Sequence, residues 1–229
     1  ENGCMTQPEY YKALNKKNIF VYDLAEEGSR AEVYTPEYPL SVKAMEQMRK
    51  IYLWGGQQKA ELLEKIDSKD LKNKYEVIGY PGFDLSTKKY KEYNLKLKPE
   101  GLPKSYILIN SNFGSYNSHS LEEKLQAFRE QAPENIIKLR ESYVKEEKEW
   151  KIFHRRVVEI IKSFPDETFI IRPHPCEILE KYKKYFEKFK NVIVTKQGSV
   201  NYTLSSAKMV LHKDCTTAFQ AHIMGIPAI

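Results

Sequence analysis

Arg172 and His174 are the residues of this chain whose types and spacing most directly suggest chemistry. They stand in Phe169-Ile-Ile-Arg-Pro-His174-Pro175. Thr168 to Ile171 are apolar or β-branched and read as a short buried strand. Pro173 and Pro175 stop it, because neither can donate to a ladder and each biases the preceding residue away from helix. A guanidinium and an imidazole are thereby held just past the carboxyl end of a strand, where open α/β sheets bind ligands. Such a pair suits a phosphate or a departing anion. The alternative is a polar strand-to-helix loop with a capping histidine.

Three further stretches carry chemical groups at strand ends. Glu26-Glu27-Gly28 follows the apolar run Ile19 to Leu24. Two carboxylates that close raise one another's pKa, which makes a general base or acid, unless the turn is simply a solvated acidic one. Thr216-Thr217 follows Met209-Val-Leu-His212 and precedes a helix over Ala218–Met224. Free N–H groups, the positive dipole end and two hydroxyls there make an anion site, or the threonines merely cap the helix. Ser111-Asn-Phe-Gly-Ser-Tyr-Asn117 is small, polar and glycine-containing. Asn112, Gly114 and Ser115 then become candidates for letting a phosphate approach backbone N–H groups. The stretch has the spacing of neither the P-loop nor the dinucleotide fingerprint.

The elements that must position these groups alternate. Strands are expected at 19–24, 51–54, 75–78, 105–110, 168–171, 191–194 and 209–212. Helices are expected at 40–48, 57–66, 121–132, 134–164, 177–189, 200–206 and 218–224. Alternation of this kind indicates α/β architecture with parallel, doubly wound sheets. Residues 85–104 carry charges, two prolines and a glycine without sustained period, and read as a linker. Leu139, Tyr143, Trp150, Phe153, Val157 and Ile161 give the long helix an apolar side that fits a packed core better than a membrane.

The composition sets bounds. The chain has 229 residues, 41% hydrophobic and 30% charged, which is ordinary for a globular protein of one large or two small domains. A net charge of +6 fits a polyanionic ligand or a peripheral contact with a membrane surface. No dense basic run or nucleic-acid motif accompanies it, so a nucleic-acid partner is not expected. Many of the sixteen tyrosines lie among Lys and Glu and are expected to be half-buried with wet hydroxyls. Cys4, Cys176 and Cys215 are too few and too widely spaced for a disulfide framework, which points to a reducing, cytoplasmic compartment. The chain opens shortly before a strand and stops at Gly225-Ile-Pro-Ala-Ile229, where another begins. A piece of a longer protein is therefore expected.

Glu26-Glu27-Gly28, His174-Pro175 and Thr216-Thr217 stand in the order of three motifs found in CMP-sugar-dependent bacterial glycosyltransferases of the GT-B type, those that transfer Kdo or sialic acid. The chain resembles the bacterial surface carbohydrate biosynthesis protein family more closely still. That likeness runs through Tyr52-Leu-Trp-Gly55, Gly79-Tyr-Pro-Gly-Phe-Asp84, Asn110-Ser-Asn-Phe-Gly114, Arg172-Pro-His-Pro175 and Cys215-Thr-Thr217 with Gly225-Ile-Pro227. It implies a GT-B-like fold of two Rossmann-like lobes. Residues 1–84 would be the carboxyl-terminal part of the acceptor-side lobe, 85–104 the linker, and 105–229 a truncated donor-nucleotide lobe. His174 would meet the CMP phosphate or protonate it as it leaves, and Thr216 and Thr217 would hold the same phosphate. Glu26 or Glu27 would serve as base, or as nucleophile if configuration is retained. The implied partners are a CMP-sugar donor and a glycan or lipid-linked glycan acceptor at the inner membrane face. No cofactor is implied. One departure is Gly28-Ser29, where members of the family often carry two glycines.

Two other readings share these residues. One keeps the fold and changes the reaction to polyol-phosphate transfer from a CDP-alcohol or to UDP-sugar epimerisation. The other is a non-catalytic domain that binds a sugar phosphate. His174-x-Cys176 and His212-x-x-Cys215 lack the usual zinc spacings, so no metal is expected.

Overall fold

The computed structural model describes residues 8–25, 39–119, 121–131 and 136–229. The chain divides into two compact units, Glu1–Asp84 and Leu85–Ile229.

In the first unit α1 (Pro8–Lys16) leads to β1 (Val21–Leu24), followed by α2 (Pro39–Gln47) and β2 (Met48–Leu53). Then come α3 (Gly56–Lys65), α4 (Lys69–Lys72), β3 (Tyr75–Val77) and α5 (Pro81–Asp84). The strands form a three-stranded sheet in the order β1-β2-β3, with both pairs parallel. Met48, Ile51 and Leu53 of β2 are buried, and they pack with Met45, Leu62, Ile66 and Tyr75. Ser68 caps α4 by accepting the Leu71 N–H, which fixes the return toward β3.

The second unit begins with a 3-10 turn over Lys88–Tyr90 and α6 (Lys91–Lys96). After them come β4 (Tyr106–Asn110), α7 (Leu121–Gln131), the 28-residue α8 (Ile136–Ser163) and β5 (Phe169–Arg172). The unit closes with α9 (Leu179–Phe186), β6 (Val192–Val194), α10 (Val200–Ser205), β7 (Ala207–His212) and α11 (Thr217–Met224). The sheet is parallel throughout, in the order β6-β5-β4-β7. Ala228 adds a parallel bridge to Val210 on the outer side of β7.

Alternation along the strands explains the layers. Leu108 and Ile170 face one side and pack with Tyr202, Leu204, Val210 and Ala221. Ile109, Phe169 and Ile171 face the other and pack with Val157, Ile161, Tyr182 and Phe186. The apolar side of α8 is therefore a core face.

Two expectations are corrected. Residues 85–104 are not a free linker: Ser86 and Asn94 are buried, the Asn94 amide donates to Leu85 O at 2.7 Å, and Ser86 Oγ bonds to Asn201 of α10. The local sequence lacks a period because the helix is short and its anchors are polar. Nor are the tyrosines uniformly wet, since Tyr106, Tyr182 and Tyr202 are fully buried. The Tyr106 hydroxyl donates to Thr203 O at 2.9 Å.

Candidate active site

The order of the second sheet fixes where a ligand site belongs. From β4 the chain lays β5 and β6 on one side, then crosses back to place β7 on the other. The carboxyl ends of β4 and β7 therefore diverge at a topological switch point, the crevice where such sheets bind ligands. The turns after β4, β5 and β7 all leave from this edge.

After β5 the chain makes the His174 turn. The His174 N–H donates to Glu177 Oε2 at 2.8 Å, and the Glu177 N–H returns to His174 O at 2.9 Å. The two bonds close the turn from both sides. His174 Nδ1 lies 2.9 Å from Cys176 Sγ and 3.3 Å from the Cys176 backbone nitrogen, whose N–H can only donate. Although Cys176 is exposed as a residue, partial desolvation of its sulfur, followed by the Glu177 charge, pushes the thiol up, so it too is a donor. Nδ1 is thus the acceptor of the neutral ring, and Nε2 carries the proton, available to a ligand oxygen. Pro175 and Cys176 are exposed, while Glu177 is buried.

The loop after β4 leans on this turn. A Cβ on Gly114 would stand 2.9 Å from Cys176 Sγ, so glycine permits the approach. Ile178 N–H donates to Asn117 O at 2.8 Å. The N–H groups of Ser115 and Tyr116, expected to face a ligand, instead donate to Glu146 Oε2 of α8 at 2.8 and 3.0 Å. Lys124 of α7 reaches the carbonyls of Gly114 and Ser115. The loop is an anion nest already filled by the protein's own carboxylate.

The turn after β7 is tied to β4. Asn110 Nδ2 donates to Thr217 Oγ1 at 2.8 Å, and Asn112 Nδ2 donates to Asp214 O at 2.9 Å. Asp214 has φ 41°, a left-handed conformation that non-glycine residues seldom adopt and that tends to gather at functional sites. Thr216 is the N-cap of α11 but makes no side-chain cap bond, and the Thr217 hydroxyl donates to Cys215 Sγ at 3.1 Å. The Ala218 and Phe219 N–H groups of this first turn donate to Cys215 O and Thr216 O at 3.0 and 3.1 Å, so what this end of α11 offers the switch point is the positive end of the helix dipole.

Arg172 is turned to backbone carbonyls. Its Nη1 and Nη2 donate to Gln197 O and Gly198 O, each at 2.8 Å, so the guanidinium clasps the turn after β6. Beyond that turn a cavity of about 510 Å³ opens, lined by Gly101, Leu102, Leu179, Ile193, Thr195 and Gln197 among others. Lys196 joins the cavity wall to the His174 turn, donating to Pro175 O at 2.9 Å and to Glu177 O.

In the first unit Ala25 is the last described residue before the acidic pair; Glu26 and Glu27 themselves lie outside the described residues. Ala25 is fully buried, with its N–H on Tyr52 O at 3.0 Å and its carbonyl accepting from Trp54 Nε1 at 2.5 Å. Trp54 stacks on Tyr80 at 4.7 Å and meets Phe83 edge-on at 4.9 Å. Ala25 is therefore anchored at the carboxyl ends of β1 and β2.

The structure brings Asn112 to the β7 turn, His174 and Pro175 into one hydrogen-bonded turn with Glu177 and Lys196, and Gly114 against Cys176 of that turn. His174 and Thr216-Thr217 leave the same sheet edge with β4 between their strands. Sequence reading missed Glu177, Ser111, Tyr182, Glu146 and Lys196. A carboxylate three residues after His174 was the one local signal, and it pointed only to Glu177. Among the described residues no group of three or more His, Cys, Asp or Glu could hold a metal ion, and no helix is long and apolar enough to cross a membrane.

No protein-family model matches the chain, and no curated protein matches it significantly. Solved structures do match. UDP-GlcNAc 2-epimerase from Neisseria meningitidis bound to UDP-GlcNAc aligns with TM-score 0.55 and 17% identity, over 97% of this chain and 55% of its own. The Methanocaldococcus jannaschii UDP-GlcNAc 2-epimerase in complex with UDP-GlcNAc and UDP aligns with TM-score 0.51 and 19% identity, over 95% of this chain and 55% of its own. The fold is α/β and GT-B-like. Both units contribute Rossmann-like parallel sheets to that likeness, and the chain spans about 55% of the length of these structures.

Proposed function

We propose that this chain joins a portion of an acceptor-side lobe, in the first unit, to the nucleotide-binding lobe, in the second, of an enzyme that acts on a nucleotide-activated sugar. The observation that carries the reading is the hydrogen-bonded edge of the second sheet, where the turns after β4, β5 and β7 interlock around the switch point. In this reading His174 offers Nε2–H to a phosphate oxygen, and Thr216 and Thr217 hold the same phosphate at the positive end of the α11 dipole. Asn112, Gly114 and Ser115 shape the wall beside them. Developing negative charge on a departing nucleotide needs such donors fixed in advance. The cavity beyond Lys196 is large enough for a nucleobase. Glu26 or Glu27 supplies the general base. The nucleotide sugar is the substrate, and no further cofactor is called for.

Epimerisation of a UDP-sugar is the better supported reaction, because enzymes of that kind, bound to UDP-GlcNAc, share the fold over nearly the whole chain. Transfer of Kdo or a nonulosonate from a CMP donor to a glycan or lipid-linked acceptor is the second reading. It rests on the order of the acidic pair, His174-Pro175 and Thr216-Thr217. A thermal-shift panel of UDP, CMP, CDP and GDP separates them. Stabilisation by UDP above the others favours epimerisation, and stabilisation by CMP favours transfer. A flat response to all four removes the nucleotide reading altogether.

A further inference from the structure

Glu177 is 3% exposed and sits between three elements. Its Oε2 accepts from Ser111 Oγ, just after β4, at 2.6 Å and from the His174 N–H at 2.8 Å. Its Oε1 accepts from the Tyr182 hydroxyl of α9 at 2.5 Å, and that hydroxyl also lies 2.8 Å from Ser111 Oγ. Burial, then the Glu177 charge, pushes the Tyr182 hydroxyl far up, so it remains a donor at every physiological pH. Tyr182 is itself held among rings, 5.0 Å from His154 and 6.4 Å from Trp150. A buried carboxylate needs such donors to remain charged in the interior. Three donors exceed what capping a single turn requires. They fix the β5 turn relative to β4 and α9 together.

We propose that Glu177, a residue with no part of its own in binding or chemistry, is the positioning residue of the phosphate site. It holds the His174 backbone so that Nε2–H points to the phosphate, with Ser111 and Tyr182 holding Glu177 in turn. This rests on the reading of His174 as a phosphate donor. The carboxylate is too enclosed to touch a ligand, and its one link to the exposed side of the turn is the His174 N–H. Glutamine at 177 keeps the volume but replaces one acceptor oxygen with an NH₂ group. Either the Tyr182 hydroxyl or the pair formed by Ser111 and the His174 N–H then loses its acceptor.

The test is a double-mutant cycle read by calorimetric titration of UDP, with CMP in parallel, into the full chain. Glu177→Gln is expected to weaken binding about tenfold, the equivalent of one charge-assisted hydrogen bond. His174→Ala should weaken it by at least as much. The double variant should bind no worse than His174→Ala alone, because Glu177 acts through His174. A purely structural role would give additive losses, and that result overturns the proposal. Wild-type binding by Glu177→Gln, with His174→Ala impaired, overturns it too and leaves the site reading standing. Unchanged binding by His174→Ala removes the site reading and the proposal with it. Should Glu177→Gln not fold, Ser111→Ala takes its place in the cycle, with the same coupling expected and the same outcomes decisive.

Discussion

The Glu146 carboxylate of α8 accepts the Ser115 N–H of the β4 loop at 2.8 Å, and the same oxygen accepts the neighbouring Tyr116 N–H. A loop shaped to bind an anion is occupied from within. Glu146→Ala is expected to cost about 1–3 kcal/mol, the penalty for orphaned donors at a half-buried site. It should also uncover the nest. Millimolar inorganic phosphate is then expected to raise the melting temperature of the variant more than that of the wild type. Equal shifts in the two proteins would mean the loop has no anion affinity to uncover.

His154 gives stability a dependence on pH. It is 1% exposed, its Nδ1 lies 2.7 Å from Trp150 O, and its Nε2 has no hydrogen-bond partner among the described residues. Burial holds its pKa down at about 4, against an ordinary value of 6.5, although the Trp150 carbonyl raises it somewhat. Between those values the unfolded chain binds the extra proton and the folded chain does not. The contribution of the neutral ring is therefore full above about pH 6.5 and is lost as the pH falls toward 4, in total ~3 kcal/mol. Urea unfolding at pH 7, 5.5 and 4.5 measures it. His154→Phe should flatten that part of the profile, and an identical slope in the variant would assign the acid sensitivity elsewhere.

Arg172 is expected to behave as a clasp. Arg172→Ala should cost about 1.5–3 kcal/mol, because two carbonyls lose a charged donor. Arg172→Lys should not restore it, since an ammonium cannot span Gln197 O and Gly198 O as the planar fork does. Gly198→Ala should disturb the same turn independently. Its φ is +74°, and a Cβ there would stand 2.4 Å from Pro99 Cγ. Urea midpoints decide the matter. Lost UDP or CMP affinity at unchanged stability would make the guanidinium a ligand contact instead.

The acidic pair is tested by turnover in the full-length enzyme. Replacing the chemical glutamate, with Glu26 favoured over Glu27, by glutamine should lower the rate at least ~10²-fold, the lower range for a positioned proton transfer. Nucleotide affinity should hardly change. If Glu26→Gln and Glu27→Gln both turn over normally, the base lies elsewhere.

Much of the architecture was legible because it is written locally. Tyr106 to Asn110 and Phe169 to Arg172 are short apolar runs closed by turn residues, and the structure makes strands of them. His174 was legible because two prolines frame it. Glu177 was not, since its meaning depends on Ser111, 66 residues away, and on Tyr182 being buried. Arg172 shows the opposite case. Its residue type fitted a phosphate, but the guanidinium is turned to carbonyls contributed by a later turn. Glu146 was not singled out because nothing in α8 reveals the loop it meets.

The central place of β4 has a consequence during synthesis. Its Ile107 pairs with Phe169 on one side and with Met209, about a hundred residues later, on the other. At ribosomal rates of roughly 5–20 residues per second, that second edge stays open for about 5–20 s after β4 emerges. Ile107, Leu108 and Ile109 meanwhile form an apolar strand with no neighbour on that side. The nascent chain is most exposed to misassociation in that interval, and a chaperone acting on this protein has most to protect there.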